Sequence, residues 1–415
     1  MKIYIRAAVR DVLDESKDAQ LAIINDPHAR LRPADFLRLA KSRYADVKAI
    51  VAKRPDTPPE ILDKLAKDKT ITVRKAVCEN PNVPLDTMIR LLHDDHDEVC
   101  RHAHWNTSFI DSLTPEALTR LAEDKWPSVR RIAAEHKNTP PEVLAKLTQD
   151  PHEWTAKVAL KNPNTPEDAL VRFSEGVSFT NTSDRVSALV CNPSTPSAVL
   201  AKIYRGEHNP SLDPAIAENP NTPPEILVEM SSAESQYQRA HVACNPSTPI
   251  EVLEILANDP EPDVVKQVAG NPSAPAAVLI DLANNEDYYV RYRLCWNPNL
   301  PESLYSQLAH DPDDLVRVGI ASKPNLPVED MYRLAKDEST HVKSCLAKNP
   351  NLPSDILDEL ARADYSDSLF HHDIYQHIAE NPNTSNETLH YLIDNSQRYD
   401  DHLRELAKKN PNYQE

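Results

Sequence analysis

The sequence predicts an all-α solenoid of about fifteen two-helix repeats, the architecture expected when one short unit recurs along a whole chain. Three observations lead there. An Asn-Pro marker recurs mostly every 26 residues; two apolar columns keep register with it; and the chain holds only four glycines but 36 prolines in 415 residues. A chain poor in Gly and rich in Pro has few turns of positive φ and many helix starts, because Pro is favoured at the first helical position.

The marker prolines are Pro193, Pro220, Pro246, Pro272, Pro298, Pro324 and Pro350, the last five intervals being 26 residues each. The register continues upstream through Pro163, Lys137, Thr107, Pro81, Pro55 and Pro27, and downstream through Pro382 and Pro411. Longer intervals mark insertions at 106–113, 174–184, 206–212 and 363–373. One unit is clear at 73–98. Val73, Ala76 and Val77 give the i, i+3, i+4 pattern of a first helix, A, and Met88, Leu91 and Leu92 that of a second, B.

The joining segment reads as a helix stop followed by a helix start. Asn is expected to end helix A in the left-handed region, and the following Pro cannot continue it. Thr57, Thr139 and Thr222 then stand where an N-cap belongs, with Glu60, Glu142 and Glu225 three residues on. That spacing predicts a capping box, in which Thr and Glu satisfy orphan backbone N–H groups, each cap worth about 1 kcal/mol. Helices this short are marginal alone, so stacking must supply the rest.

The columns supply it. In helix A one column reads Ile23, Val51, Val77, Ala103, Ala133, Ala159, Leu189, Ile216, Val242, Val268, Leu294, Ile320, Leu346, Ile378 and Ala407. In helix B one reads Leu39, Leu65, Leu91, Leu121, Leu147, Phe173, Ile203, Met230, Leu256, Leu282, Leu308, Leu334, Leu360 and Leu392. Every member is apolar. A lone helix pair cannot bury such faces, but stacked neighbours can. Residues 1–18 lack the marker and are expected to form a polar N-terminal cap, leaving 19–415 as one continuous solenoid.

The segments VRKAVCENPNVP, AENPNTPPEILVEM and LAKNPNLPSDILDELA closely resemble the leucine-rich repeat variant family of bacterial proteins. The resemblance covers roughly 19–412, and implies a right-handed superhelix of α and short 3-10 helices, without strands. Two departures are visible. The 26-residue unit is slightly longer than the family's usual one, and no Cys precedes Cys78, so the N-terminal iron–sulfur cluster of some members is not carried over. The family is not tied to one activity.

The net charge of −18 argues against a general nucleic-acid or anionic-membrane binder. The N-terminus has no apolar run of signal-peptide length and no 18-residue apolar stretch occurs, which leads to the expectation of a soluble, cytoplasmic protein. Cys78, Cys191, Cys244, Cys295 and Cys345 fall in helix A at or near positions that elsewhere hold Ala52, Ala217 and Ala321, so they read as small buried hydrophobes. None forms a CxxC pair.

The densest set of ligand-type side chains is His93, Asp94, His96, Cys100, His102 and His104. Zinc needs three or four such groups converging. His102 and His104 occupy the Ala76 and Cys78 columns, which favours packing roles over a metal-dependent one. A lesser group is His371, His372 and His377. The glycines Gly176, Gly206, Gly270 and Gly319 are too isolated for a phosphate loop, and neither G-x-S-x-G nor H-E-x-x-H occurs. No enzyme activity and no cofactor are expected.

Two surface features remain. The second residue of helix A is often basic: Lys48, Arg74, Arg130, Arg239, Arg291, Arg317 and Lys343, with breaks at Cys100, Ala156, Val186, Asp213 and Val265. This ladder reads as local pairing with the acidic loop before it, as Asp313 and Asp314 precede Arg317, and with helix-B carbonyls. The sharper reading is a rail for nucleic-acid phosphates. Trp126, Trp154, Tyr237, Tyr288 and Tyr289 are expected in the loop between helix B and the next helix A, where aromatic anchors suit a partner. The sequence thus favours a protein-interaction scaffold presenting an extended curved surface. A nucleic-acid-binding helical repeat protein is the runner-up, and a metal-dependent role at His93–His104 a third reading.

Overall fold

In the computed structural model, residues 16–25, 31–180, 183–365, 371–395 and 401–414 are described. All regular structure among them is helical, and the chain forms two compact units, Met1–Val199 and Leu200–Glu415. The expected N-terminal cap lies outside the described residues up to position 15; the first described helix is Lys17–Asn25.

Each repeat is helix A, a tight turn, helix B and a loop, as in Ile71–Cys78 followed by Leu85–Leu92 and Gln236–Cys244 followed by Ile250–Leu256. The expected columns form the core. From Val51 to Ala407 every member of the A column is at most 1% exposed, and the B column from Leu39 to Leu392 is at most 5% exposed. The exception is the first repeat, where Ile24 is buried and Ile23 is half-exposed, one position off register. Short 3-10 turns occur at Pro210–Leu212 and Glu302–Leu304. The insertion at 106–113 folds as a helix of its own, Thr107–Asp111, capped by Asn106 and anchored by buried Phe109.

The joining segment departs from expectation twice, and prolines cause both departures. Asn162, Asn192, Asn245 and Asn271 end helix A in extended backbone, φ −66 to −73° and ψ 123 to 125°, not in the left-handed region. A residue before Pro is pushed sterically to extended backbone. The extended backbone lets the Asn side chain reach the preceding repeat. Asn271 Nδ2 donates to Ala243 O (2.7 Å) and Asn245 O (2.8 Å), while its Oδ1 accepts from Ser273 N (2.7 Å). Asn80, Asn162, Asn192, Asn245, Asn297, Asn349, Asn381 and Asn410 repeat the arrangement. Two residues on, Asn or Ser adds another rung: Ser273 Oγ donates to Pro246 O (2.5 Å) and Asn299 Nδ2 to Pro272 O (2.6 Å).

The capping box does not form. Helix B begins at Pro59, Pro141 and Pro224, so the N-cap is Pro58, Pro140 or Pro223. Proline has neither the N–H nor the side-chain oxygen that a box requires. The Thr before it is buried and points backwards: Thr57 Oγ1 donates to Val51 O (2.5 Å), Thr139 Oγ1 to Ala133 O (2.6 Å), and Thr222 Oγ1 likewise to Ile216 O. Thr therefore satisfies the end of helix A rather than the start of helix B. Glu60, Glu142 and Glu225 remain in the first turn, where a carboxylate favours the helix dipole.

Candidate interaction surface

The basic ladder is clamped within each repeat. Arg130 holds Asp150 with Nε–Oδ2 2.6 Å and Nη2–Oδ1 2.8 Å, and its Nη1 donates to Asp124 O (2.9 Å) and Lys125 O (3.1 Å). Arg74–Asp94, Arg239–Asp259, Arg291–Asp311 and Arg317–Asp337 repeat this bidentate pair at 2.6–2.7 and 2.8–3.0 Å. Lys48 pairs with Asp68. The five arginine side chains are only 11–15% exposed.

The acidic partner lies 20 residues downstream, at the end of the repeat, and not in the preceding loop. Asp313 instead caps the helix Asp314–Ala321 through Leu315 N, and Asp314 accepts from Ser339. The preceding loop contributes its carbonyls, such as those of Asp124 and Lys125, in place of the helix-B carbonyls expected. Each aspartate also accepts the amide two residues on, as Asp150 does from His152 N (2.8 Å). Burial pushes Asp150 and Asp337 up, but the arginine and that amide outweigh it and hold both below the usual carboxylate range; at Asp259 the Arg239 bond dominates outright. Lys343 stands apart: Ala363 occupies the acidic position, and its ammonium lies over the Tyr365 ring at 5.8 Å.

Among the aromatics only Trp126 precedes its helix, as the N-cap of Pro127–Glu135. Trp154, Tyr237, Tyr288 and Tyr289 lie in the first turn of helix A rather than in the loop; Asx turns at Asp150 and Asn285 close the loops before Trp154 and Tyr288. Trp154, Tyr237 and Tyr289 share one repeat position, two residues before the ladder, and are 48%, 70% and 47% exposed. Lys157 lies over Trp154 at 4.6 Å and Lys266 over Tyr289 at 5.2 Å. Tyr288 and Tyr289 rings are 4.1 Å apart, and Trp126 stacks on His93 at 5.5 Å.

Two exposed tryptophans escaped sequence reasoning. Trp105 and Trp296 cap the far end of helix A at one shared position, directly before the marker Asn. That placement was the available signal. In the second unit a shallow groove beside Arg291 and Asp311 is lined by Glu286, Gln307 and His310.

The ligand-type side chains at 93–104 disperse. His93 Nε2 meets Asp124 at 2.9 Å, His102 Nδ1 faces Glu98 O at 2.8 Å, and Cys100 Sγ donates to Asp94 O at 3.0 Å. His96 caps its helix, and burial, with Arg131 adding, pushes His104 down. Among the described residues these groups do not converge as metal ligands; Glu218, His241 and Cys244 do, with ligand atoms within 4.8 Å of one another. His377 faces Ser344, Nδ1 lying 3.1 Å from its hydroxyl and carbonyl oxygens, and the side chain of His371 is outside the described residues.

The cysteines also separate. None is in a disulfide. Cys78 and Cys295 share the buried position of Ala52 and Ala321, and burial pushes both thiols up to about 12. Cys191 and Cys244 sit one residue later, exposed and half-buried, so the expectation of burial fails for them.

Stacked A and B helices joined by Asn-Pro turns, with no strand among the described residues, define a helical repeat protein. The model of the leucine-rich repeat variant matches residues 45–69 and 127–152, and that of the Leucine Rich Repeat Variant domain matches 184–240. Over those residues the chain is similar to the leucine-rich repeat variant family. Among solved structures it is similar to a leucine-rich repeat variant with a novel repetitive structural motif, at 20% identity over 62% of this chain and 87% of that one, TM-score 0.30. It is also similar to Kap121p bound to Nup53p, at 12% identity over 97% of this chain, TM-score 0.32; the chain spans about half (52%) the length of that protein. No curated protein matches the sequence. No helix among the described residues is long and apolar enough to cross a membrane.

Proposed function

We propose that this chain is a non-enzymatic scaffold that binds a protein partner through the N-terminal ends of its A helices. The anchors are Trp126 and Trp154 in the first unit and Tyr237, Tyr288 and Tyr289 in the second. The observation that carries this reading is the exposure of Trp154, Tyr237 and Tyr289 at one repeat position, at 47–70%. Aromatic side chains that contribute little to the core are available to fill pockets on a partner. The ladder supports a protein partner over nucleic acid. A phosphate would have to take each guanidinium from an aspartate already bound in the same bidentate geometry, against a chain of charge −18. Cysteines outside disulfides suit a reducing compartment, and we place the protein in the cytoplasm.

The test is affinity capture from host lysate with and without nuclease, using the full chain and its W126A/W154A/Y289A variant. A stoichiometric protein that survives nuclease and is lost with the variant, at unchanged circular dichroism, is the expected result. Equal capture by the variant removes the aromatic anchors from the reading. Recovery of nucleic acid, with proteins lost on nuclease treatment, overturns the scaffold in favour of the ladder Lys48, Arg74, Arg130, Arg239, Arg291, Arg317 and Lys343.

A further inference from the structure

We infer that Glu218, His241 and Cys244 form a zinc site between two neighbouring repeats of the second unit. His241 and Cys244 lie three residues apart on the helix Gln236–Cys244, a spacing that places them on one face. Glu218 ends the helix Asp213–Glu218 of the preceding repeat and occupies there the repeat position that Cys244 occupies next. Stacking therefore brings the carboxylate beside the two side chains.

His241 Nδ1 is 2.7 Å from Glu218 Oε1, Cys244 Sγ donates to His241 O at 3.2 Å, and the three ligand atoms lie within 4.8 Å. Ligand atoms around tetrahedral zinc are roughly 3 to 4 Å apart, given bonds of about 2.0 to 2.3 Å. Small side-chain rotations close the difference. One imidazole, one thiolate and one carboxylate suit Zn²⁺ rather than Ca²⁺ or Mg²⁺, which take oxygen ligands. Glu218 is exposed and the other two half-buried, so a fourth position faces solvent for water or a partner's side chain.

The repeat provides its own controls. The same three positions five repeats earlier hold Glu79, His102 and Trp105, and near the end of the chain Lys348, His377 and Glu380. Each set loses a ligand: His102 tilts against the Trp105 ring at 6.2 Å, and His377 turns to Ser344.

The experiment is calorimetric titration of the full chain with Zn²⁺ alongside Co²⁺ absorption spectroscopy. Binding of a single ion is expected, with a thiolate-to-cobalt charge-transfer band. C244S should abolish that band, and E218Q and H241A should weaken binding by on the order of 10-fold or more. H102A should bind as the unaltered chain does, and circular dichroism shows whether each variant is folded. No heat beyond dilution for the unaltered chain, or a charge-transfer band that survives C244S, overturns the site.

Discussion

The two ends of each helix pair are held in different ways. At the turn from A to B, the marker Asn binds carbonyls of the repeat before it, so neighbours are tied to each other. At the loop from B back to A, the Arg–Asp pair closes within one repeat, and the same arginine also holds carbonyls of the loop before its helix. Uniformity between repeats is needed most at the first end. The asparagine accordingly recurs in nearly every unit, while the clamp is missing where Ala156, Val186 or Val265 replaces Arg. The exposed Trp154, Tyr237 and Tyr289 gather at the second end, which can vary without breaking the stack.

Breaking the first end should cost most. Asn271→Ala leaves the carbonyl of Ala243 and the amide of Ser273 without their partner, and Asn245 O with only its bond from Thr248 N. With about 1–3 kcal/mol for each unsatisfied buried group, the loss should be on the order of 3 kcal/mol or more, read as a fall in denaturant midpoint. Asn271→Asp keeps the acceptor for Ser273 N but removes both donors, and should cost nearly as much. A mild effect of both would mean that apolar columns alone set the register.

The clamp comes next. Arg291→Ala leaves the Asp311 carboxylate, 6% exposed, without its guanidinium, and removing one partner of a buried pair costs roughly 3 kcal/mol. Replacing both, as in R291M/D311L, should recover most of that loss, since a well-packed apolar pair is often neutral. Failure to recover would mean that the other bonds lost, from Arg291 to the loop carbonyls of Asn285 and Glu286 and from Asp313 N to Asp311, carry the effect.

The same clamps set an acid limit. Asp150, Asp259 and Asp337 lie below the ordinary carboxylate range in the folded chain. A lowered folded value means that the stabilisation is fully present above the unfolded value, near ~3.9, and is lost as pH falls through the lowered folded values. Chemical denaturation should thus be nearly flat from neutrality to about pH 5 and weaken below about pH 4. R130A, R239A and R317A should each flatten that fall. A loss of stability near pH 6 would point instead to a histidine that burial keeps neutral, such as His104.

The core was legible because burial is periodic: from Val51 onward the apolar column of helix A is the buried one. The turn was misread because each residue was judged by its own preference. Asn alone prefers the left-handed region, yet Asn before Pro cannot take it; Thr alone is a good cap, yet Thr before Pro-Pro stands one residue too early. The clamp was legible but overlooked. Asp68, Asp94, Asp150, Asp259, Asp311 and Asp337 lie 20 residues after a basic ladder residue, whereas Gly176, Gly206 and Asn285 follow Ala156, Val186 and Val265. The convergence of Glu218, His241 and Cys244 was hidden because it joins two repeats, and the same three positions elsewhere hold at most two such groups at once.

The smallest effect on stability should come from the aromatic positions, and it bears most directly on the contrast between the two ends. Tyr237→Ala removes a ring that is 70% exposed and should change stability by no more than about 0.5 kcal/mol, the range of surface substitutions away from packing. Trp154→Ala and Tyr289→Ala should cost slightly more, since Lys157 and Lys266 lie over those rings. Trp126→Ala should cost the most of the four, because it also unstacks His93, whose Nε2 is held by Asp124. Thermal denaturation of the four variants gives the order. A Tyr237 loss as large as that of Asn271 would show that this end also maintains the stack, and would remove the reason for assigning its exposed rings to a partner.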